Sequence, residues 1–379
     1  SRRKMSKSLG NTLEPARVIH GGRDKKKEPA YGVDLLRLVV GSTDYTHDVS
    51  FGPLVFAQFS DAMRKIRGTV RFMLGNLNGF TPDMLVPFEQ MSSIDRYILH
   101  ELRRFKQNAQ TAFDAYEFYR AMQIVSNFTN ADLSAFYFDI SKDCLYVGAA
   151  DDLQRRSTQT ALFHILVDYT TALAPVACHL AEEVWEFFGP TRRALGKTTD
   201  SVFQESWDQT QSEWNNPELA ADWTALRKLR SVANRSIEAA RTARHIGSSL
   251  EAELDVYVPL NTRLGQLLTK YSKWQTCDHN NVLWAKYVLT FCFAFWEPCV
   301  ESELCKVCIT SKVNVHEVGG AETDGFACEE RIAAFDTETP VRVVSRRSSL
   351  HKCPRCWNFH STEESSLCGR CDDVVARQQ

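Results

Sequence analysis

From Pro53 to Phe188 the apolar residues recur every three or four positions, a spacing that a helix alone gathers onto one face. Phe59, Met63, Ile66, Val70, Met73 and Leu77 make the first stripe, and Arg64, Lys65, Arg67 and Arg71 lie largely off it. Asn78-Gly79 ends that helix, and Ser92-Ser93-Ile94-Asp95 starts the next, striped by Ile94, Ile98, Leu102, Phe105, Ala109 and Phe113. A third helix is expected over 117–139, and a fourth over 158–188, bent or broken at Pro175. Four long helices with short joints predict an antiparallel bundle. Upstream, 1–30 reads as basic loop with at most a short helix near Pro15–Ile19, and 33–40 as a short apolar helix or a buried strand. Downstream, 189–221 reads as an irregular connection, and 222–245 as a helix with Trp223, Leu226, Leu229, Ala233, Ile237 and Ala240 inward. The period then changes to two at Leu254, Val256, Val258 and Leu260, and again at Val307, Ile309, Val313 and Val315, which predicts strands. The expected fold class is mainly α: a helical bundle, then a small α/β junction domain, then a Cys-rich tail.

Length and composition narrow the function classes. A chain of 379 residues is enough for two or three domains. With 44% hydrophobic and 24% charged residues it is neither collagenous nor mostly disordered. No stretch approaches a membrane-spanning apolar run, so no membrane partner is expected. The formal charge is −2, so any anion-binding surface must be a local patch. Twelve cysteines are too dilute for a disulfide scaffold, but four of them bunch near the C-terminus.

Those four are Cys353-Pro-Arg-Cys356 and Cys368-Gly-Arg-Cys371, two C-x-x-C knuckles that can close a thiolate tetrahedron around one structural Zn2+. His351 and His360 are nearby alternatives, and His360 could replace one cysteine. Cys305-Lys-Val-Cys308 is a further C-x-x-C pair, but it opens a period-two segment. Ordinary structural cysteines are the first reading there and a redox or metal role the second. His245-Ile246-Gly247-Ser248 has the look of a nucleotide-binding motif, yet it ends a basic helix, where Gly247 reads as the cap.

Two basic regions are candidates for nucleic acid. Arg227, Arg230, Arg241 and Arg244 recur at three- and eleven-residue steps and would share one helix stripe, either along a phosphate backbone or as a solvated, salt-bridged face. Arg342, Arg346, Arg347, Lys352 and Arg355 run without an acid between Glu338 and Glu363, with Trp357 and Phe359 available to stack on single-stranded RNA bases. At the other end, Lys4-Met5-Ser6-Lys7-Ser8 with Leu9-Gly10-Asn11 offers two ammonium groups and two hydroxyls on a Gly-containing loop. Such a loop can surround a polyphosphate, although by composition alone it is a solvated basic segment.

The string KMSKSLGN resembles the signature loop of class I aminoacyl-tRNA synthetases. GVDLLRLVVGSTDYTHDVSFGP, KIRGTVRFMLGNLNGF, LSAFYFDISKD, LAPVACHLAEEVW, IEAARTARHIGSSLEAELDVYV and the CPRCW and CGRC knuckles extend the likeness along most of the chain. Together they resemble the isoleucyl-tRNA synthetases of the bacterial and mitochondrial type, from the lysine loop onward. The resemblance implies a catalytic-domain remnant over 1–50, a helical anticodon-binding domain over 51–215, an α/β junction over 216–340 and a zinc-binding domain over 341–379. It implies attachment of isoleucine to tRNA(Ile) in two steps with ATP as substrate and Mg2+ alongside it. Lys4 and Lys7 would be the catalytic residues, with Met5, Ser6 and Ser8 completing the ATP-binding loop. Arg227, Arg230, Arg241, Arg244, Arg346, Arg347, Lys352, Arg355 and Trp357 would be the tRNA-binding set. A monomer in the mitochondrial matrix is expected, a bacterial-type cytoplasm being the alternative. The family's HIGH motif, nucleotide-binding sheet, amino-acid pocket and editing domain have no counterpart in this sequence, so the chain by itself is expected to be inactive. Two further departures are Lys25–Lys27, which lengthen the loop after the motif, and Cys178-His179, where the family has a Pro-Phe type pair. A free-standing tRNA-binding module without catalysis is the competing reading, and a DNA-binding zinc protein the weaker third.

Overall fold

The computed structural model describes residues 4–207, 211–272, 302–319 and 324–377. They form two units: Ser1–Leu145 with Ala150–Asn216, and Pro217–Gln379 with Tyr146–Ala149.

The first unit is helical. Short α1 (Pro15–His20) and α2 (Val33–Gly41) precede the bundle, which settles 33–40 as a helix. The bundle helices are α3 (Pro53–Asn76), α4 (Ser93–Asp114), α5 (Phe118–Asn127), α6 (Phe138–Val147), α7 (Leu153–Leu173) and α8 (Cys178–Phe187), followed by short α9 (Gly189–Ala194). Between α5 and α6 the backbone winds into a wider π-helical run, Phe128–Tyr137, so the third expected helix is continuous but not uniform. Its six stripe residues and a cap explain α4: the Ser92 side chain accepts the Asp95 backbone N–H. Helix α7 is buried almost throughout, because α3, α4, α5 and α8 all pack on it. A helix with no solvent face shows no amphipathic stripe. Its polar residues find internal partners. Lys106 reaches Asp168 at 2.8 Å, and Asp95, fully buried, accepts from Ser157 at 2.6 Å and from Tyr137 at 2.5 Å. Pro175 separates α7 from α8, as the break in the pattern requires.

The second unit is α/β. Helix α10 (Pro217–Thr242) lies against β3 (Phe326–Ala334) and β4 (Thr337–Arg347) of a four-stranded sheet ordered β2-β1-β4-β3. β1 (Ala252–Tyr257) pairs parallel with β2 (Lys312–His316) and antiparallel with β4. Helix α11 (Arg263–Ser272) and α12 (Glu303–Cys308) pack together beside β2. The strand expected at Val307 and Ile309 is therefore corrected. Ser302 caps Cys305, the segment turns as a helix, and Ile309 (φ 54°) ends it before β2 begins. The sequence signal also missed the β3–β4 hairpin. Its two-residue turn is Phe335-Asp336, both left-handed at φ 54° and 61°, a conformation usually announced by Asn-Gly. β4 runs through residues 340 and 341, so the domain boundary expected there falls inside a strand.

Candidate metal centre and nucleic-acid surfaces

After β4 the chain forms a small hairpin, β5 (His351–Lys352) with β6 (Phe359–Ser361), and ends in α13 (Gly369–Ala376). The first knuckle is the turn of that hairpin. Cys353 N–H donates to Asn358 C=O at 2.9 Å, and Trp357 takes the left-handed conformation (φ 67°) that closes the turn. The second knuckle sits at the start of α13, with Cys368 in the capping position. All four cysteines are buried and unbridged, and their Sγ atoms lie within 4.8 Å of one another. Cys356 Sγ and Cys368 Sγ are 3.7 Å apart. A tetrahedron with Zn–S bonds of about 2.3 Å has edges of about 3.8 Å. The donor set therefore fits a soft, four-coordinate divalent ion with no open position. Burial works against ionisation of Cys353, but backbone N–H groups of Cys356, Cys368 and Arg355 aimed at its sulfur more than offset this and bring it down to about 6. His360 is not a ligand. Its Nε2 contacts Ser311 C=O at 2.5 Å, which fixes β6 to the loop before β2.

The Cys305–Cys308 pair is different in kind. Both thiols are buried on α12, and burial pushes Cys308 up to about 12, a protonated core thiol.

The lysine loop is a compact turn. Asn11 clasps it from both sides: its Oδ1 accepts Ser6 N–H at 2.8 Å, and its Nδ2 donates to Lys4 C=O at 3.2 Å. Ser6 Oγ and Ser8 Oγ are 2.7 Å apart, and Gly10 (φ 62°) ends the short 3₁₀ turn Lys7–Leu9. Lys4 and Lys7 are exposed, and neither meets a carboxylate among the described residues. Asn11 is a positioning residue that the sequence showed only as part of the string.

The basic candidates separate by position. The four arginines of α10 do not form one exposed stripe. Arg230 is buried and donates to Val307 C=O at 2.9 Å, and Arg227 is half-buried. Arg230 thus turns toward α12 while Arg241 stays exposed, and α10 ends before Arg244. There Arg244 (φ 58°), not Gly247, takes the left-handed cap position, with His245 N–H returning to Ala240 C=O at 2.9 Å. This turn gathers Arg241, Arg244 and Arg347 around one shallow cleft with His245. Arg346 points elsewhere: it bridges two buried carboxylates, Glu253 at 2.8 Å and Asp255 at 3.0 Å. Arg355 donates to Cys371 Sγ at 3.6 Å. Lys352 Nζ stands 5.1 Å from the Trp357 ring centre, and Trp357 is 61% exposed.

Comparison with known proteins places this geometry. Residues 95–258 match the family model described as "Anticodon-binding domain of tRNA ligase", and residues 1–52 match "tRNA synthetases class I (I, L, M and V)". The isoleucine–tRNA ligase of Synechococcus sp. is 42% identical over 377 residues, 97% of this chain and 36% of that protein. The chain belongs to the isoleucine–tRNA ligase family. The enzyme of Thermosynechococcus vestitus is 46% identical over 257 residues, 68% of this chain and 26% of its own. The Arabidopsis thaliana "Isoleucine--tRNA ligase, chloroplastic/mitochondrial" is 35% identical over 381 residues, 98% of this chain and 32% of its own. The chain spans about a third of the length of the curated relatives it matches. The family match covers α4 to β1, so the bundle that carries it is the anticodon-binding fold. Among the described residues, no helix is long and apolar enough to cross a membrane.

Proposed function

We propose that this chain is the part of an isoleucine–tRNA ligase that carries the ATP loop, the anticodon-binding bundle and a zinc-stapled tail. The observation that carries the proposal is the 42% identity to an isoleucine–tRNA ligase over 97% of the chain. In the whole enzyme the reaction is attachment of isoleucine to tRNA(Ile) in two steps, with isoleucyl-adenylate formed from ATP first. Lys4 and Lys7 would carry charge to the ATP phosphates, and the Asn11 clasp holds the loop in the turn that brings the Ser6 and Ser8 hydroxyls together. Zn2+ would sit on Cys353, Cys356, Cys368 and Cys371, with a structural role only. The free-standing RNA module is the second reading, and the exposed lysine loop counts against it, since RNA binding alone has no use for a loop built for a polyphosphate.

For tRNA, the bundle would engage the anticodon arm. The cleft of Arg241, Arg244 and Arg347 would take phosphates, and Trp357 beside Lys352 would stack on a base. Filter binding tests this. Affinity for tRNA(Ile) should fall steeply with salt, and Arg241→Ala with Arg244→Ala should flatten that slope. Trp357→Ala should cost about 1–3 kcal/mol and weaken the preference for the isoleucine anticodon. Equal affinity for tRNA(Ile) and an anticodon-swapped tRNA would remove the anticodon-reading role. The mitochondrial matrix is the proposed compartment. Relatives from cyanobacteria and a plant organelle support a bacterial-type translation system, and cell fractionation with an antibody to the chain separates organelle from cytoplasm.

A further inference from the structure

Outside the Cys₄ centre, one other place among the described residues brings three metal-ligating side chains together. Asp34 lies in the first turn of α2, and Cys178 and His179 open α8, 144 and 145 residues later. His179 Nδ1 is 2.9 Å from Asp34 Oδ1 and 3.3 Å from Cys178 Sγ, and Cys178 Sγ is 3.8 Å from the same Asp34 oxygen. Thiol, imidazole and carboxylate thus converge on one point.

The convergence distinguishes two chemistries. In a proton-relay triad the nucleophile and the carboxylate address opposite nitrogens of the imidazole ring. Here both face the same nitrogen, Nδ1, and Asp34 Oδ1 also accepts the His179 backbone N–H at 3.2 Å. A relay cannot run through one nitrogen, but a ligand set needs that arrangement. The spacing fits as well. A tetrahedral ion with bonds of about 2.3 Å to sulfur and about 2.0 Å to nitrogen and oxygen separates sulfur from either light atom by about 3.5 Å and the light atoms by about 3.3 Å. The observed edges bracket those values, and the shortest opens by a few tenths of an ångström through rotation of the exposed His179 ring.

We propose that Asp34, Cys178 and His179 form a second metal site, for a zinc-class divalent ion, that ties α2 to the start of α8. Asp34 is already fixed for this task, because its second oxygen accepts Leu180 N–H at 2.6 Å and its side chain is only 15% exposed. Thiolate and carboxylate together balance a dication, so the complex presents no net charge to the positive end of α8. On binding, the Cys178 thiol gives its proton to solvent, and the neutral imidazole carries its proton on Nε2 rather than Nδ1, so one proton is released per ion. The fourth position faces the cleft that Cys178 and His179 line, and water completes the shell there.

The test uses the full chain, reduced and then dialysed against zinc and against cobalt. Two equivalents of metal should remain on the unsubstituted protein. Cys178→Ser and His179→Gln should each lower this to one, with the far-ultraviolet circular dichroism unchanged. Cys371→Ser should remove the other equivalent and leave this one. With cobalt, Cys178→Ser should delete a single-thiolate charge-transfer band while the intense four-thiolate band stays. Zinc should also slow alkylation of Cys178, mapped by mass spectrometry. If Cys178→Ser and His179→Gln hold as much metal as the unsubstituted chain, and Cys178 is alkylated equally with and without zinc, the second site does not exist.

Discussion

Arg346 offers the sharpest test of how the basic tail is built. Its guanidinium joins Glu253 at 2.8 Å and Asp255 at 3.0 Å, and those carboxylates are 4% and 2% exposed on the central strand β1. Arg346→Ala would leave both charges buried. Asp255 would keep His316 at 2.8 Å and Asn314 at 2.9 Å, and Glu253 would keep the Ser348 hydroxyl at 2.9 Å. Removing one partner of a buried ion pair costs about 3–5 kcal/mol. The remaining hydrogen bonds and the half-exposure of Arg346 put this case at the lower end, about 3 kcal/mol. With a urea slope of about 2–3 kcal/mol/M the midpoint of the second unit should fall by about 1 M. Urea denaturation followed by hydrogen exchange of the β1 amides reads that unit specifically. The loss should also depend on pH. Burial pushes Asp255 upward, but hydrogen bonds from His316, Asn314 and Arg346 outweigh it and hold the carboxyl below its usual 3.8. A depressed carboxyl stabilises the fold above its unfolded value and loses that contribution as pH falls through the folded one. The gap between the two proteins should therefore be full at pH 7 and shrink below about pH 4. An Arg346→Ala protein that unfolds at the same urea concentration, yet binds tRNA with a flatter salt dependence, would show that Arg346 grips phosphate and that the clasp reasoning is wrong.

Cys353→Ser should abolish metal retention at the Cys₄ cluster and loosen residues 349–377 while the helical bundle keeps its melting profile, read by elemental analysis and circular dichroism. His164 is pushed down to about 4 by burial, with Lys197 and Lys106 adding repulsion, so its contribution is complete above its unfolded value near 6.5 and is lost as pH falls toward 4. Denaturation between those limits should show up to about 3 kcal/mol of loss, and His164→Gln should remove that slope. The polypeptide alone should give no isoleucine-dependent pyrophosphate exchange above a blank, whereas Lys7→Ala in the whole enzyme should slow adenylate formation by about 3–4 kcal/mol of barrier.

The sequence by itself determined the strongest patterns that rest on neighbours along the chain. The stripes of α3 and α4, the break at Pro175 and the two C-x-x-C knuckles are local patterns, and the structure places each where its spacing requires. A resemblance carried by contiguous strings was equally legible. What depended on distant partners was not. A helix was expected over 158–188, but that other helices enclose α7 on nearly every side was not, and the Phe335-Asp336 turn lacks the glycine that usually signals a hairpin. Arg230 and Arg346 carry the same charge as the cleft arginines, yet a carbonyl on α12 and two buried carboxylates on β1 claim them, whereas Arg241 and Arg347 keep exposed side chains while pairing with Glu238 at 2.9 Å and Glu251 at 3.4 Å. Asp34 and Cys178 meet across 144 residues. Charge and ligand chemistry are written in residue types, but whether a charged group faces water or a counter-charge is set by which strand or helix arrives beside it, and only tertiary packing decides that.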